Sequence, residues 1–266
     1  MVNPVEDLAA LLQRQKAARI AEGPVNAAVR RDRLQRAIDM LVRHRDALCD
    51  ALDADFGNRP RVVSLTMDVM GAITSLKYAQ KHVARWMKPR HCKGVMPFSL
   101  FGARGWVEYQ PKGVVGILGT WNFPLYTMLA PLAYVLAAGN RSLIKPSELN
   151  PRTAETLARA VPECFDPAEV AVVNGGVDVG RAFAALPFDH LVLTGGTAVA
   201  KAVMRSAAEN LVPLTLQLGG KSPVIVGRSA DPRMAAKRIM IAKGMNSGQL
   251  CINADYVYVA REKLES

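Results

Sequence analysis

Cysteine is scarce in this sequence: four in 266 residues, none of them in a Cys-x-x-Cys pair. That spacing offers neither a zinc site nor a disulfide framework, so no metal is expected and a reducing cytoplasm suits the chain. Aromatic residues make up only 6% and form no nucleotide-stacking motif. An N-terminal apolar signal core is missing, because Glu6, Asp7, Arg14 and Lys16 come early, and secretion is not expected. The stretch from Gly113 to Asn140 carries no charge and exceeds the roughly 20 residues that span a bilayer. Gly116, Gly119, Asn122, Pro124 and Pro131 divide it, which predicts a buried strand, a turn and a buried helix instead.

Acidic residues are outnumbered, 23 Asp and Glu against 34 Lys and Arg, for a net charge of +11. Such an excess can attract nucleic acid, anionic membrane or phosphate-bearing ligands. The bases are scattered or gather on an N-terminal helical stretch (Arg30, Arg31, Arg33, Arg36, Arg43, Arg45) and around Lys88 and Arg90, with no continuous basic arm. A solvated helix face accounts for them, so neither nucleic acid nor membrane is expected as a partner. With 50% hydrophobic and 21% charged residues, the composition is that of a soluble globular chain.

From about Pro4 to Met87 apolar residues recur at helical spacing. Val29, Leu34, Ile38 and Leu41 form one stripe, Leu48 and Leu52 a second, and Met67, Met70, Ile73, Leu76 and Val83 a third, with the methionines read as core filler. Gly23-Pro24 and the run Gly57 to Pro60 break the segment into helices. Residues 98–111 concentrate Phe98, Leu100, Phe101, Trp106, Val107 and Tyr109 around Gly102 and Gly105, which predicts a projecting aromatic hairpin suited to oligomerisation. After Pro111 short β-rich runs alternate with helices: strands at 114–118, 142–145, 170–173, 191–194 and 213–218, helices at 124–138, 152–161, 177–185 and 198–208. That rhythm predicts a parallel sheet covered on both faces, the pattern of a dinucleotide-binding domain. The expected architecture is α/β: N-terminal helices and an open parallel Rossmann-like sheet over 1–217, then the start of a second α/β catalytic domain over 218–266.

Ligands of open parallel sheets gather where the strands end, and three strand ends here carry chemistry. Trp121-Asn122-Phe123-Pro124 sets an amide beside a proline-started helix; Asn122 is either an oxyanion donor or a turn residue. Lys145-Pro146-Ser147-Glu148 offers a cation and a carboxylate to a ribose diol, or to each other as a surface ion pair. Thr194-Gly195-Gly196-Thr197 leads into a helix and lets a phosphate approach its N-terminus, although the G-x-G-x-x-G fingerprint is absent. Gln217 precedes a second Gly-Gly turn, and Cys251 follows the polar run Asn246-Ser247-Gly248-Gln249-Leu250.

Taken in order, Gly119 to Pro124, Lys145 to Glu148, Leu193 to Thr197, Leu218 to Pro223 and Asn246 to Cys251 resemble the motifs of the aldehyde dehydrogenase superfamily. Ala54 to Gly57, Leu186 to His190 and Ala254 to Tyr256 resemble its class 3 branch, especially members of the coniferyl-aldehyde type. The resemblance covers nearly the whole chain but only about half of such a protein, whose remainder supplies most of the catalytic domain and the substrate tunnel. It implies oxidation of an aldehyde, aromatic or medium- to long-chain aliphatic, to the acid with NAD, with NADP as the alternative cofactor. Cys251 would be the nucleophile, Asn122 and the Cys251 backbone N–H the oxyanion donors, and Gln217 would stand at the base position. Trp121, Lys145, Ser147, Glu148, Gly195 and Gly196 would contact the cofactor, and a homodimer is implied for full-length relatives.

Three departures accompany the resemblance. The family's Leu-Glu-Leu-Gly-Gly-Lys carries a glutamate where this chain has Gln217, and an amide cannot accept the proton of a deacylating water. Ala200 replaces a turn-closing glycine, whose added methyl is expected to crowd helix against sheet. Ile252-Asn253 replaces an apolar and a small residue after the nucleophile. Other readings stay open: a homologue that binds nucleotide without turnover, an acylating enzyme using coenzyme A as acceptor, and, on charge alone, a basic nucleic-acid or membrane-surface protein.

Overall fold

The computed structural model describes residues 4–92, 94 and 96–264. Helix α1 (Pro4–Glu22) ends where Gly23 turns left-handed at φ +70°, and α2 (Ala27–Phe56) begins under the Asn26 side chain, which accepts from the N–H groups of Ala28 and Val29. Gly57, at φ +78°, closes α2. A single turn, α3 (Arg61–Val63), runs through a π-helical stretch (Ser64–Val69) into α4 (Met70–Trp86). The extra residue of the π turn rotates the buried stripe. Val69, Ala72, Leu76, Ala79 and Val83 face the core, whereas Met70 is exposed and Met67 borders a groove, so neither methionine is core filler.

A short antiparallel pair follows, β1 (Arg90–Cys92) with β2 (Gly105–Val107), bridged by a 3₁₀ turn at Phe98–Phe101. The expected hairpin at 98–111 is thus displaced: its first strand lies at 90–92, and the aromatic run supplies the tip and the return strand. Phe98, Leu100, Phe101 and Trp106 are all exposed there.

The central sheet is parallel, in the order β5 (Val170–Val172), β4 (Arg141–Lys145), β3 (Val114–Leu118), β6 (His190–Gly195), β7 (Leu214–Leu218). Its crossovers are α5 (Tyr126–Ala137), α6 (Pro151–Ala160), α7 (Val177–Ala184) and α8 (Thr197–Ala208), close to the spans the periodicity predicts. Alternation along each strand divides the core in two. Val115, Ile117 and Ile144 pack with α2, α4, α5 and α6, while Val114, Leu118, Leu143, Leu191 and Leu193 pack with α1, α7 and α8. Gly116 has to be glycine, since a Cβ there would lie 2.7–3.0 Å from Leu191, Phe188 and Phe183. Ala200 is buried in the second cluster, and its N–H reaches Gly196 O at 3.0 Å, so the added methyl fills core space and leaves the turn intact.

The basic helix face is not simply solvated. Arg33 is 2% exposed and donates to Glu22 (2.6 Å) and Glu169 (2.9 Å), while Arg30 is buried and donates to the carbonyls of Val25 and Ala137. Arg36 binds Glu169 through both Nη atoms, and Arg141 donates to Glu22 at 2.7 Å. Arg33, Arg36 and Arg141 therefore tie α1 and α2 to the sheet, and Arg30 ties α2 to the end of α5, because a buried cation has to be paired or hydrogen-bonded.

Beyond Leu218 the chain forms β8 (Ser222–Val226), α9 (Pro232–Gly244) and β9 (Ala254–Val259), with β8 and β9 paired in parallel as a sheet of their own. No residue of α9 is buried. No helix of the described residues is long and apolar enough to cross a membrane, and no group of three or more His, Cys, Asp or Glu among them is placed to hold a metal.

Candidate active site

The central strand β3 leads through α5 to β4 on one side, and the chain later returns to its other side as β6. That reversal opens a crevice at the carboxyl ends of the strands. Trp121 and Asn122 follow β3, Lys145 ends β4 with Pro146 to Glu148 after it, Gly196 follows β6, and Gln217 is the penultimate residue of β7. The residues singled out at the strand ends share this edge, while Cys251 comes from the loop before β9.

A groove of about 1050 Å³ lies on the α5 side of β3, β6 and β7. Strand register explains its floor: Thr194 stands opposite Gln217 and Val192 opposite Thr215, so the residues not facing α8 line the groove. Asn122, Gln217 and Cys251 share its wall, with Tyr126 and Thr127 of the α5 region. Gln217 Nε2 is 4.0 Å from Cys251 Sγ, and Cys251 is exposed. The Asn122 amide donates to Gln249 O at 2.7 Å, and Asn246 Nδ2 donates back to Asn122 O at 3.0 Å. One Asn122 N–H is thereby fixed, leaving the second to give.

Asn246, Ser247 and Gly248 are consecutively left-handed, at φ 48°, 55° and 82°. Non-glycine residues adopt that conformation at a cost of about 1–3 kcal/mol, and such strain collects at ligand-handling loops. What holds this turn is partly Asn253, whose amide donates to Lys243 O at the end of α9, while Lys243 Nζ donates to Ala254 O. The departure at Asn253 therefore has a structural use as a clamp on α9. Ile252 is exposed on the groove rim.

Lys145 is 3% exposed and pairs with Glu148 at 3.0 Å. Burial works to raise the Glu148 carboxyl, but its own backbone N–H and the Lys145 ammonium outweigh it and hold it below the ordinary glutamate range. Ser147 Oγ accepts from Leu149 N at 3.2 Å. Gly196 is the N-cap of α8 with no side chain capping it, and open space surrounds the position its Cβ would take. Trp121 is partly exposed on the loop between these two features.

Two groups escaped the sequence reading. His190 accepts from Lys112 Nζ (3.1 Å) and donates to Thr215 Oγ1 (2.8 Å) on the groove floor, and burial with the Lys112 charge pushes its pKa down, keeping it neutral. Asp68, wholly buried, accepts from the backbone N–H groups of Leu125 and Tyr126 at 3.0 Å each. Its only sequence signal was a lone acid within an apolar helical stripe.

Known proteins share this sequence and fold. The model of the aldehyde dehydrogenase family matches residues 5–266. Coniferyl aldehyde dehydrogenase of Pseudomonas sp. (strain HR199) is 51% identical over 261 residues, 98% of this chain and 53% of its own length. A probable coniferyl aldehyde dehydrogenase of Caulobacter vibrioides is 52% identical over 96% of this chain and 53% of its own. Among solved structures, substrate-bound Staphylococcus aureus AldH superposes with TM-score 0.89 at 31% identity, covering 95% of this chain and 55% of that one. Mycobacterium tuberculosis aldehyde dehydrogenase complexed with NAD+ gives TM-score 0.86 at 29% identity, covering 97% and 53%. The chain spans about half the length of these relatives. Over that span the fold superposes on theirs, and the chain belongs to the aldehyde dehydrogenase family.

Proposed function

We propose that this chain carries the cofactor-binding region and nucleophile of an NAD(P)-dependent oxidation of an aldehyde to its acid, with aromatic aldehydes of the coniferyl kind as substrates and aliphatic ones as alternatives. The observation that carries the reading is the meeting of Cys251, Asn122 and Gln217 in one groove beside the strand ends. The Cys251 thiolate adds to the aldehyde carbonyl, and the second Asn122 N–H with the Cys251 backbone N–H holds the oxyanion that forms. Collapse of that oxyanion breaks the C–H bond and leaves a thioester on sulfur. A bound nicotinamide dinucleotide supplies the hydride acceptor. Water then cleaves the thioester, restoring the thiol and releasing the acid.

The residues present fit that cofactor. The uncapped N-terminus of α8 at Gly196, with Gly195 before it, leaves backbone donors and space for a diphosphate. Glu148 and Lys145 suit a ribose diol, Ser147 shapes their loop, and Trp121 borders it. An ionised Glu148 repels a 2′-phosphate, which favours NAD, while Lys145 tempers the preference. The chain divides, on this reading, into a cofactor-binding unit over 1–217 and part of a catalytic unit over 218–266. The exposed tip and strand at 98–107 is the dimer contact, and no nucleic-acid or membrane partner and a cytoplasmic setting belong to the same reading.

Gln217 makes the outcome distinctive. It can donate to the substrate side but cannot take the proton of the deacylating water, a contribution of about 10²- to 10⁴-fold. Mixing the chain with coniferaldehyde and NAD is expected to give a burst of NADH no larger than the Cys251 content, with slow turnover after it. Cys251→Ser is expected to remove the burst, and Gln217→Glu to raise the following rate by about 10²-fold or more. Absence of both NADH and a Cys251 acyl adduct defeats the reading in favour of a nucleotide-binding homologue without turnover.

A further inference from the structure

The Arg59–Asp68 pair lies outside the groove and takes no part in the chemistry above, yet it is among the most enclosed ion pairs of the described residues. Arg59 Nη2 stands 2.7 Å from Asp68 Oδ2, with side-chain exposures of 2% and 0%. Enclosing two charges is expensive, and replacing such a pair by apolar residues of similar volume is often neutral or stabilising. The arrangement therefore asks for a use that packing alone does not supply.

Its other contacts converge on the loop that carries Asn122. Asp68 Oδ1 accepts from the N–H groups of both Leu125 and Tyr126 at the start of α5, where no side chain of the α5 cap does so. The Arg59 guanidinium lies over the Phe123 ring, 5.1 Å from its centroid, and over the Phe56 ring at 4.6 Å. Phe123 adjoins Asn122 in sequence, and Leu125 follows two residues later. Asn122 in turn is cross-bonded to the Cys251 loop through Gln249 O and Asn246 Nδ2. A contiguous set of contacts thus runs from the buried pair through residues 123–126 and Asn122 to the strained turn before the cysteine.

We propose that Arg59 and Asp68 are positioning residues that fix the Asn122 amide and, through it, the loop bearing Cys251. The proposal rests on the reading of Asn122 as oxyanion donor and Cys251 as nucleophile. The aspartate supplies two acceptor contacts at the first amides of α5, so the turn preceding the helix has one conformation. Burial pushes the Asp68 carboxyl up, the Arg59 charge beside it works against that rise, and the guanidinium seats the Phe123 ring. Residue 68 lies within the π turn at Ser64–Val69, which presents it to the start of α5.

Two double variants of the full chain separate positioning from stability. Arg59→Met with Asp68→Leu removes both charges and the acceptor, whereas Arg59→Met with Asp68→Asn removes the charges but keeps an acceptor oxygen. The first is expected to speed amide hydrogen exchange at least tenfold over 122–127 and over 246–252, and to change the iodoacetamide alkylation of Cys251 at least threefold relative to Cys92. The second is expected to return both readouts toward the original chain. Should the apolar pair not fold, Asp68→Glu keeps the ion pair while displacing the carboxylate, and carries the same expectation as the first variant. Unchanged exchange over 246–252, or identical behaviour of the two double variants, overturns the proposal. Protection of Cys251 from alkylation by added aldehyde is measured alongside on the original chain. Its absence sinks the nucleophile reading and leaves the exchange result to decide positioning by itself.

Discussion

At the scale of single residues, the proposed preference for NAD turns on one charge. Glu148 is held ionised beside Lys145, so at neutral pH it presents a full negative charge to whatever occupies the ribose position. Replacing it by glutamine keeps the size and hydrogen-bonding reach but removes the repulsion and frees the buried Lys145 ammonium. Glu148→Gln is expected to weaken NAD binding by about tenfold and to strengthen NADP binding by a similar factor, about 1.4 kcal/mol each way. Isothermal titration with the two dinucleotides checks it; equal losses for both would place Glu148 outside the ribose contact. Cys251 and Gln217 illustrate what a residue can and cannot disclose. Each is one unremarkable side chain in sequence, and only the strand register that sets Gln217 on the groove face brings it within 4.0 Å of the sulfur.

Among the elements, α1 and α2 are tied to the sheet by carboxylates whose pKa values are depressed. Burial acts to raise the Glu169 carboxyl, but the hydrogen bonds and charges of Arg36 and Arg33 prevail and lower it; Glu22 behaves alike through Arg33 and Arg141. A depressed folded-state pKa stabilises the fold above the unfolded value, near 4.3, and that contribution is lost as pH falls through the folded value. Glu169→Gln is therefore expected to cost about 1–2 kcal/mol at pH 7, allowing for the solvent that reaches this site, and much less at pH 3. Urea melts of both chains at the two pH values test it, and a difference independent of pH would deny the ion network its role. These elements also show how far a sequence can be read. The parallel sheet is legible because each strand is a short apolar run bounded by turn residues and each crossover helix is periodic. The α4 stripe is legible at Leu76 and Val83 but misread at Met67 and Met70, because a π turn leaves no mark in the apolar period. The buried state of Arg30 and Arg33 is hidden for a different reason: their carboxylate and carbonyl partners lie up to 136 positions away in the chain. Asp68 is invisible as a site residue for the same cause, since its amide partners lie 57 and 58 positions on.

For the whole molecule the accessible surface decides what to expect in solution. A compact monomer of 28.8 kDa exposes about 11,000 Å². This chain exposes 15099 Å², an excess of roughly 4,000 Å² over that scaling. Much of it lies past Leu218: among the described residues no hydrophobic side chain after Leu218 joins either core cluster, and Ile225, Met240, Ile241, Tyr258 and Leu264 are exposed. Contiguous apolar surface of that extent is rarely left bare by a monomer and invites either self-association or a covering partner. The chain spans 53% of the length of the Pseudomonas relative. The chain alone is expected to bind a hydrophobic dye, to elute as an associated species in light-scattering chromatography, and to exchange amides quickly over 219–264. Adding the part of the Pseudomonas enzyme that this chain does not span is expected to suppress the dye signal and slow that exchange, leaving the sheet over 114–218 unchanged. A monodisperse monomer with no dye binding and slow exchange over 219–264 would show that β8, α9 and β9 are self-sufficient, and that the open apolar face needs no cover.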